Sequence, residues 1–340
     1  MWAIENQTPY SAERTFVRDL DGSEIWLVAV RGTFSIQSDG SLGIAEKQEP
    51  VAGLAQYLGK PTESSLRCDT DLPRTKLGTD VLLNATAYVP RGVKREELEV
   101  GFRVANLTKT LIVSGDRAWK KSRRGEFEPG EPQPFASMPI RYENAFGGMA
   151  ENEAGSSTTA LADRNPIGVG IIRSDGAPLP NVRYPGTEIG DPSLERSPAG
   201  FGAIASHWMP RRSLAGTYDE KWPDHRQPLL PDDFKEKFFY SAPADQRVDG
   251  FLRGGERVDL VNLTPSGKLS FVLPKLAIGC RTSIDGGITH HRSNLHTVLI
   301  EPDEQRLIMV WHSALPCHHT LYTLKRTVVF EKQGTESLVA

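Results

Sequence analysis

The chain has 340 residues, of which 38% are hydrophobic, and a formal net charge of −3. That length suffices to bury a sizeable core as one large domain or two ordinary ones. The balanced charge leaves no basic footprint for nucleic acid or an anionic membrane, and the longest apolar run, Ile25 to Val30, is far short of the roughly 20 residues that span a bilayer.

The start, MWAIENQTPYSAER, lacks a basic region followed by an apolar run, so the chain is expected in the cytoplasm. Between Glu24 and Ile36 the residues Trp26, Val28, Val30, Phe34 and Ile36 alternate with Arg31, Thr33 and Ser35, which predicts a half-buried strand. The turn dipeptides Asp21-Gly22 and Asp39-Gly40 make it part of a meander that begins near Thr15 and returns through Leu42 and Ile44. Next, Asp69, Asp71, Arg74, Lys76 and Asp80 cluster in an irregular stretch; ion pairs are favoured over a calcium loop, which needs a tighter comb of carboxylates. Strands are predicted over Val81 to Val89, Leu98 to Val104 and Thr110 to Val113. Arg117, Lys120, Lys121, Arg123 and Arg124 surround Trp119, but the acidic GEFEPGE follows, so the segment reads as a solvated hairpin tip.

From Pro134 to Glu256 the composition changes to Pro/Gly-punctuated aromatic blocks. Tyr142, Phe146, Tyr184, Phe201, Trp208, Tyr218, Trp222 and Phe234 carry large apolar surfaces that need burial, so this is ordered irregular structure and not a linker. A helix is predicted within Leu229 to Tyr240, with Phe234, Phe238 and Phe239 on one face. Strands resume over Glu256 to Leu263, Lys268 to Leu273, Thr297 to Glu301, Arg306 to His312 and Thr320 to Phe330. The expected fold is mainly β: antiparallel, sandwich-like sheets from the N- and C-terminal portions (1–114 and 256–332), a loop-rich middle (115–255) with few short helices, and a frayed tail (333–340), the portions forming one compact unit.

Chemistry is sparse. Cys68, Cys280 and Cys317 are odd in number without CxxC spacing, so reduced buried thiols are expected. His290, His291, His296, His312, His318 and His319 lie late in the chain, and strands could bring His296, His312 and His319 together for a metal-dependent hydrolase, although the spacing fits no zinc motif. No GxSxG elbow, HExxH, P-loop or dinucleotide fingerprint occurs, and no cofactor is expected. In GTYDEKW, Tyr218 and Trp222 read either as rings packed on a turn capped by Asp219 or as an exposed platform for a sugar or a partner peptide, the latter giving a carbohydrate-binding module as a third reading.

Eleven blocks in order resemble a bacterial family, the type VI secretion effector adaptors catalogued as domain of unknown function 2169. They include WAIENQTPYSAERTFVRDLDGSEIWLVAVRGTFSI, SSLRCDTDLPRTKLGTDVLLNATAYVP, PFASMPIRYENAFGG, NPIGVG, PAGFGAI, HWMPR, GTYDEKW, PLLPDDF and GGERVDLVNLTPSGKLSFVLP, and run from about Trp2 to Trp311. The resemblance implies a non-enzymatic adaptor or chaperone that binds a toxic effector and helps load it onto the VgrG tip or a PAAR-bearing spike protein. It supplies no catalytic residues. Arg141, Tyr142, Phe146, Asn165 and Pro166 are then signatures of the fold, and Trp208, Arg211, Tyr218, Asp219 and Trp222 are the candidates for a partner surface.

Overall fold

The β-branched and aromatic run EIWLVAVRGTFSI becomes a 13-residue strand, the longest among the described residues. The structure is a computed structural model that describes residues 1–90, 93–150, 160–172, 174–188 and 198–332. The strands of its three larger sheets are, in chain order, β1 (Ala3–Asn6), β2 (Ser11–Arg18), β3 (Glu24–Ile36), β4 (Leu42–Ile44), β5 (Gly78–Leu83), β6 (Glu97–Val104), β7 (Leu107–Ser114) and β8 (Val182–Arg183). They continue with β9 (Arg247–Asp249), β10 (Arg257–Val261), β11 (Lys268–Val272), β12 (Ile278–Ile284), β13 (Gly287–Arg292), β14 (Asn294–Glu301), β15 (Arg306–Pro316) and β16 (Arg326–Glu331).

The central sheet runs β9-β5-β14-β15-β3-β2, with β4 also paired to β3. A second sheet runs β8-β7-β6-β10-β11, and a third β1-β16-β12-β13. Within these three sheets pairing is antiparallel, as expected, except for β5 with β14 and β1 with β16, which make the first and third sheets mixed. Parallel pairs need long crossovers, and these two join strands from opposite portions of the sequence. Val28, Val30, Val81, Val298 and Met309 of the central sheet share one core with Val100, Phe102, Leu111, Val258 and Leu260 of the second, which is the sandwich.

The far face of β3 departs from the half-buried expectation. Arg31 and Thr33 are buried, because the segment after β4 folds back over them with matching polar groups. Arg31 pairs with Asp71 at 2.7 Å and Glu49 at 3.1 Å, and the Gln48 side chain accepts from the Thr33 N–H at 2.8 Å. Leu82, Leu299, Ile308 and Val310 on this same side pack with Ala52, Leu66, Cys68, Ala203 and Ala242, so loops from both the early and middle portions roof the sheet.

Three further expectations are corrected. The strand over Val81 to Val89 ends at Leu83 and restarts as Thr86–Tyr88, since the Asn84 side chain donates to Arg67 O and Glu301 Oε1. The predicted helix over Leu229 to Tyr240 is only a 3-10 turn, Glu236–Phe239: the Lys235 N–H bonds Leu214 O instead of the carbonyl four residues back, and no α ladder starts. Phe234, Phe238 and Phe239 still cluster, with centroids 5.3 to 5.8 Å apart. The strand over Thr320 to Phe330 divides into a 3-10 turn, Leu321–Thr323, and β16. The hairpin at Trp119 forms as expected, Trp119–Lys121 against Phe127–Pro129. Among the described residues no helix is long and apolar enough to cross a membrane, and the tail over 333–340 lies outside them.

Candidate partner-binding site

The clustered charges between Asp69 and Asp80 are ion-paired, mostly to groups elsewhere in the chain. Lys76 pairs with Asp80 at 2.8 Å, and the same Asp80 oxygen accepts from the Ser241 N–H at 2.8 Å. Arg74 joins Asp19 and Glu236, and Asp69 meets Arg211 at 2.7 Å. Arg67 bridges Glu49 at 2.9 Å and Glu301 at 2.7 Å, with Arg306 also on Glu301 at 2.7 Å. Burial pushes the Glu301 carboxyl up, but the hydrogen bonds and charge of Arg67, joined by Arg306, outweigh it and hold the carboxyl at about 2. These contacts fasten the loop-rich middle to the sheet.

Tyr142, Asn165 and Trp208 form the interior of that middle. The Tyr142 ring stands edge-on to Trp208 at 5.5 Å, and its hydroxyl donates to Gly202 O at 3.1 Å. A Cβ at Gly200 would lie 2.8 Å from the Tyr142 ring, so the backbone approaches it directly. Asn165 is fully buried and its amide donates to Tyr142 O at 2.8 Å and Phe146 O at 3.0 Å. Phe146 and Pro166 are half-buried, and Arg141 is exposed beside Arg67 and Glu301.

The five candidate surface residues therefore separate. Trp208 and Arg211 are each 2% exposed. Arg211 donates to Ile204 O at 2.6 Å and Phe238 O at 3.0 Å besides pairing with Asp69, which makes it a clamp between loops. Tyr218 is 54% exposed, Asp219 is exposed and Trp222 is half-buried. The turn is capped as the first reading expected: Asp219 Oδ1 accepts from the N–H groups of Lys221 and Trp222, starting the short helix α1 (Trp222–His225), while Tyr218 leans on Trp222 at 4.9 Å and is exposed to water. The knob is fixed at both ends. Asp233 accepts from the Thr217 N–H and hydroxyl at 2.8 Å, the Trp222 indole donates to Leu229 O at 2.9 Å, and Arg226 donates to Leu20 O, before β3. Glu220, Lys221 and Asp224 around it are exposed and Asp232 pairs with Arg226 at 3.1 Å, giving a charged rim to an aromatic centre. Asp233 and Arg226 were missed as anchors, because their partners lie in other turns that no local spacing indicates.

The late histidines do not converge as a triad. His296 and His312, on β14 and β15, stack at 4.6 Å with Phe251 against His296 at 5.4 Å. Burial drives both well below the ordinary histidine value, to about 3 for His312. His319 is exposed, 3.5 Å from Glu24, and His318 is exposed. His290 faces water, whereas His291 bonds the Thr282 and Ser313 hydroxyls. Among the described residues no group of three or more His, Cys, Asp or Glu is placed to hold a metal ion, and Cys68, Cys280 and Cys317 are buried free thiols.

A mainly-β protein that presents an anchored aromatic knob on a roofed sandwich is the class that fold and site define. The chain belongs to the family described as uncharacterized protein conserved in bacteria (DUF2169), whose pattern matches residues 21–312. The match enters just before β3 and ends within β15, so it covers the central sheet apart from β2 and the end of β15, and the whole loop-rich middle. Neither the curated proteins nor the solved structures contain a match.

Proposed function

We propose that this chain is a non-enzymatic adaptor that holds a secreted type VI toxin effector and presents it to a VgrG or PAAR spike protein. The observation that carries the reading is the knob: Tyr218 stays exposed while its backbone and its neighbour Trp222 are fixed by side-chain bonds. Preorganised aromatic rings with a polar rim are the usual anchors of protein recognition, since little entropy is lost when they are covered. The ordered sequence blocks that resemble the type VI effector adaptors support the same reading.

Deleting the protein is expected to stop export of the toxin encoded beside it while the secretion machine continues to fire; unchanged export refutes the proposal. The double substitution Tyr218→Ala/Trp222→Ala is expected to weaken the toxin complex at least tenfold in a pull-down titration.

A further inference from the structure

The third sheet ends on an unguarded edge. β13 is its last strand, paired along its backbone only with β12 among the described residues, and is exposed at every residue but the half-buried His291. Asp285 and Gly286, between the two strands, both have positive φ, 50° and 73°, the type I′ turn that closes a two-residue hairpin. In that geometry Ile284 and Gly287 exchange hydrogen bonds, as do Thr282 with Thr289 and Cys280 with His291. Ile288, His290 and Arg292 consequently turn their N–H and C=O groups outward, where no strand pairs with them among the described residues.

Other edges are blunted in the ways sheets normally use. The Gly40 turn lies on Ser270 of β11, so close that a Cβ there would sit 2.0 Å from Ser270 O. β8 and β9 are two and three residues long. β2 carries Glu13, Arg14 and Arg18, and Arg14 donates to Trp2 O beside β1. β13 has no proline, lysine or bulge, carries its one arginine, Arg292, at its end, and presents Ile288 at 66% exposure.

The outer face beside this edge is cationic. Arg281 lies opposite His290, and Arg292 opposite Gly279, so these side chains share one face with Ile288. Arg281 rests over the Phe330 ring at 5.3 Å, and neither it nor Arg292 has a carboxylate partner among the described residues; Arg326 farther along pairs with Glu5 at 3.1 Å. Like charges on neighbouring positions of one face repel, and an anion placed there relieves that repulsion.

We propose that β13 accepts an added strand: an extended, acidic segment of a protein partner. It would bond the outward backbone of Ile288, His290 and Arg292 and set alternate carboxylates against Arg281 and Arg292, the strand-addition mode in which main chain gives affinity and side chains give selectivity. This holds whether or not the client is a toxin. The test uses the full chain with an eight-residue peptide alternating glutamate and valine, its lysine-valine counterpart as control, fluorescence anisotropy for binding, and amide hydrogen exchange for the site. The acidic peptide is expected to bind at least tenfold tighter than the basic one and to slow exchange at Ile288, His290 and Arg292. Arg281→Glu/Arg292→Glu, on exposed side chains, is expected to reverse the preference; His290→Pro, which removes an outward N–H and leaves the β12 ladder, is expected to weaken the acidic peptide at least tenfold. Should His290→Pro not fold, the arginine pair and the exchange pattern still decide. Equal binding of both peptides, binding without slowed exchange at those three amides, or an edge already protected by a second copy in sedimentation overturns the proposal.

Discussion

At the residue scale, Trp208, Arg211, Tyr218 and Trp222 show that aromatic and basic residues in neighbouring loops can have opposite fates. Composition indicated correctly that the rings are ordered. Their exposure depends on partners in other parts of the chain: Asp69 for Arg211, Tyr142 for Trp208, and for Tyr218, among the described residues, no ring beyond Trp222. The energetic contrast is testable. Arg211→Ala leaves a half-buried carboxylate and two carbonyls without their donor, and is expected to cost about 2–4 kcal/mol in urea unfolding. Tyr218→Ala removes a mostly exposed ring and is expected to stay within about 0.5 kcal/mol. Similar losses for the two would mean that the knob is scaffold and not display surface.

At the element scale, β3, β6, β10 and β11 were legible because their apolar residues alternate against a real core. β12 and β13 were missed although TSIDGGIT contains the Asp-Gly turn signal, since Thr, Ser and His dilute the alternation on a sheet that is exposed on one side. The opposite error occurred at Phe234, Phe238 and Phe239, where helical spacing places three rings together without a helix to carry them. Turn glycines give a graded prediction. Gly286 is at φ +73° with nothing near its missing Cβ, so Gly286→Ala is expected to cost only the left-handed strain, about 1 kcal/mol. At Gly40 the added methyl also strikes Ser270 O, and Gly40→Ala is expected to lower the urea midpoint distinctly more. Equal losses would show that the turn simply moves away from β11.

At the scale of the whole molecule, the sequence placed strands in both the N- and C-terminal portions and left open whether they form one sheet system or two lobes; the order of neighbours depends on long-range pairings with no local trace. That assembly also sets a pH response. Burial holds His291 at about 4 and His312 at about 3, the latter helped by Lys76, with His296 also depressed. A histidine depressed on folding contributes stability that is intact above its unfolded value of about 6.5 and erodes as pH falls below it, because the unfolded chain then binds the extra proton. Between roughly pH 6 and 4 the buried His312 ring should remove about 1.4 kcal/mol per pH unit, with His291 adding to the loss in the upper part of that range. Urea unfolding across that range is expected to show this slope, and His312→Gln to flatten it by one proton's share; an unchanged slope would assign the acid response to other groups. The pairing of Gly32 with Met309 has a consequence for biosynthesis. β3, with nearly every side chain destined for burial, leaves the ribosome early, and its neighbour β15 is among the last strands made. During elongation only β2 and β4 can pair with it, so Val28, Val30 and Phe34 need temporary cover before the sandwich exists. A protein proposed to shelter a client is thus, while being made, in need of shelter itself.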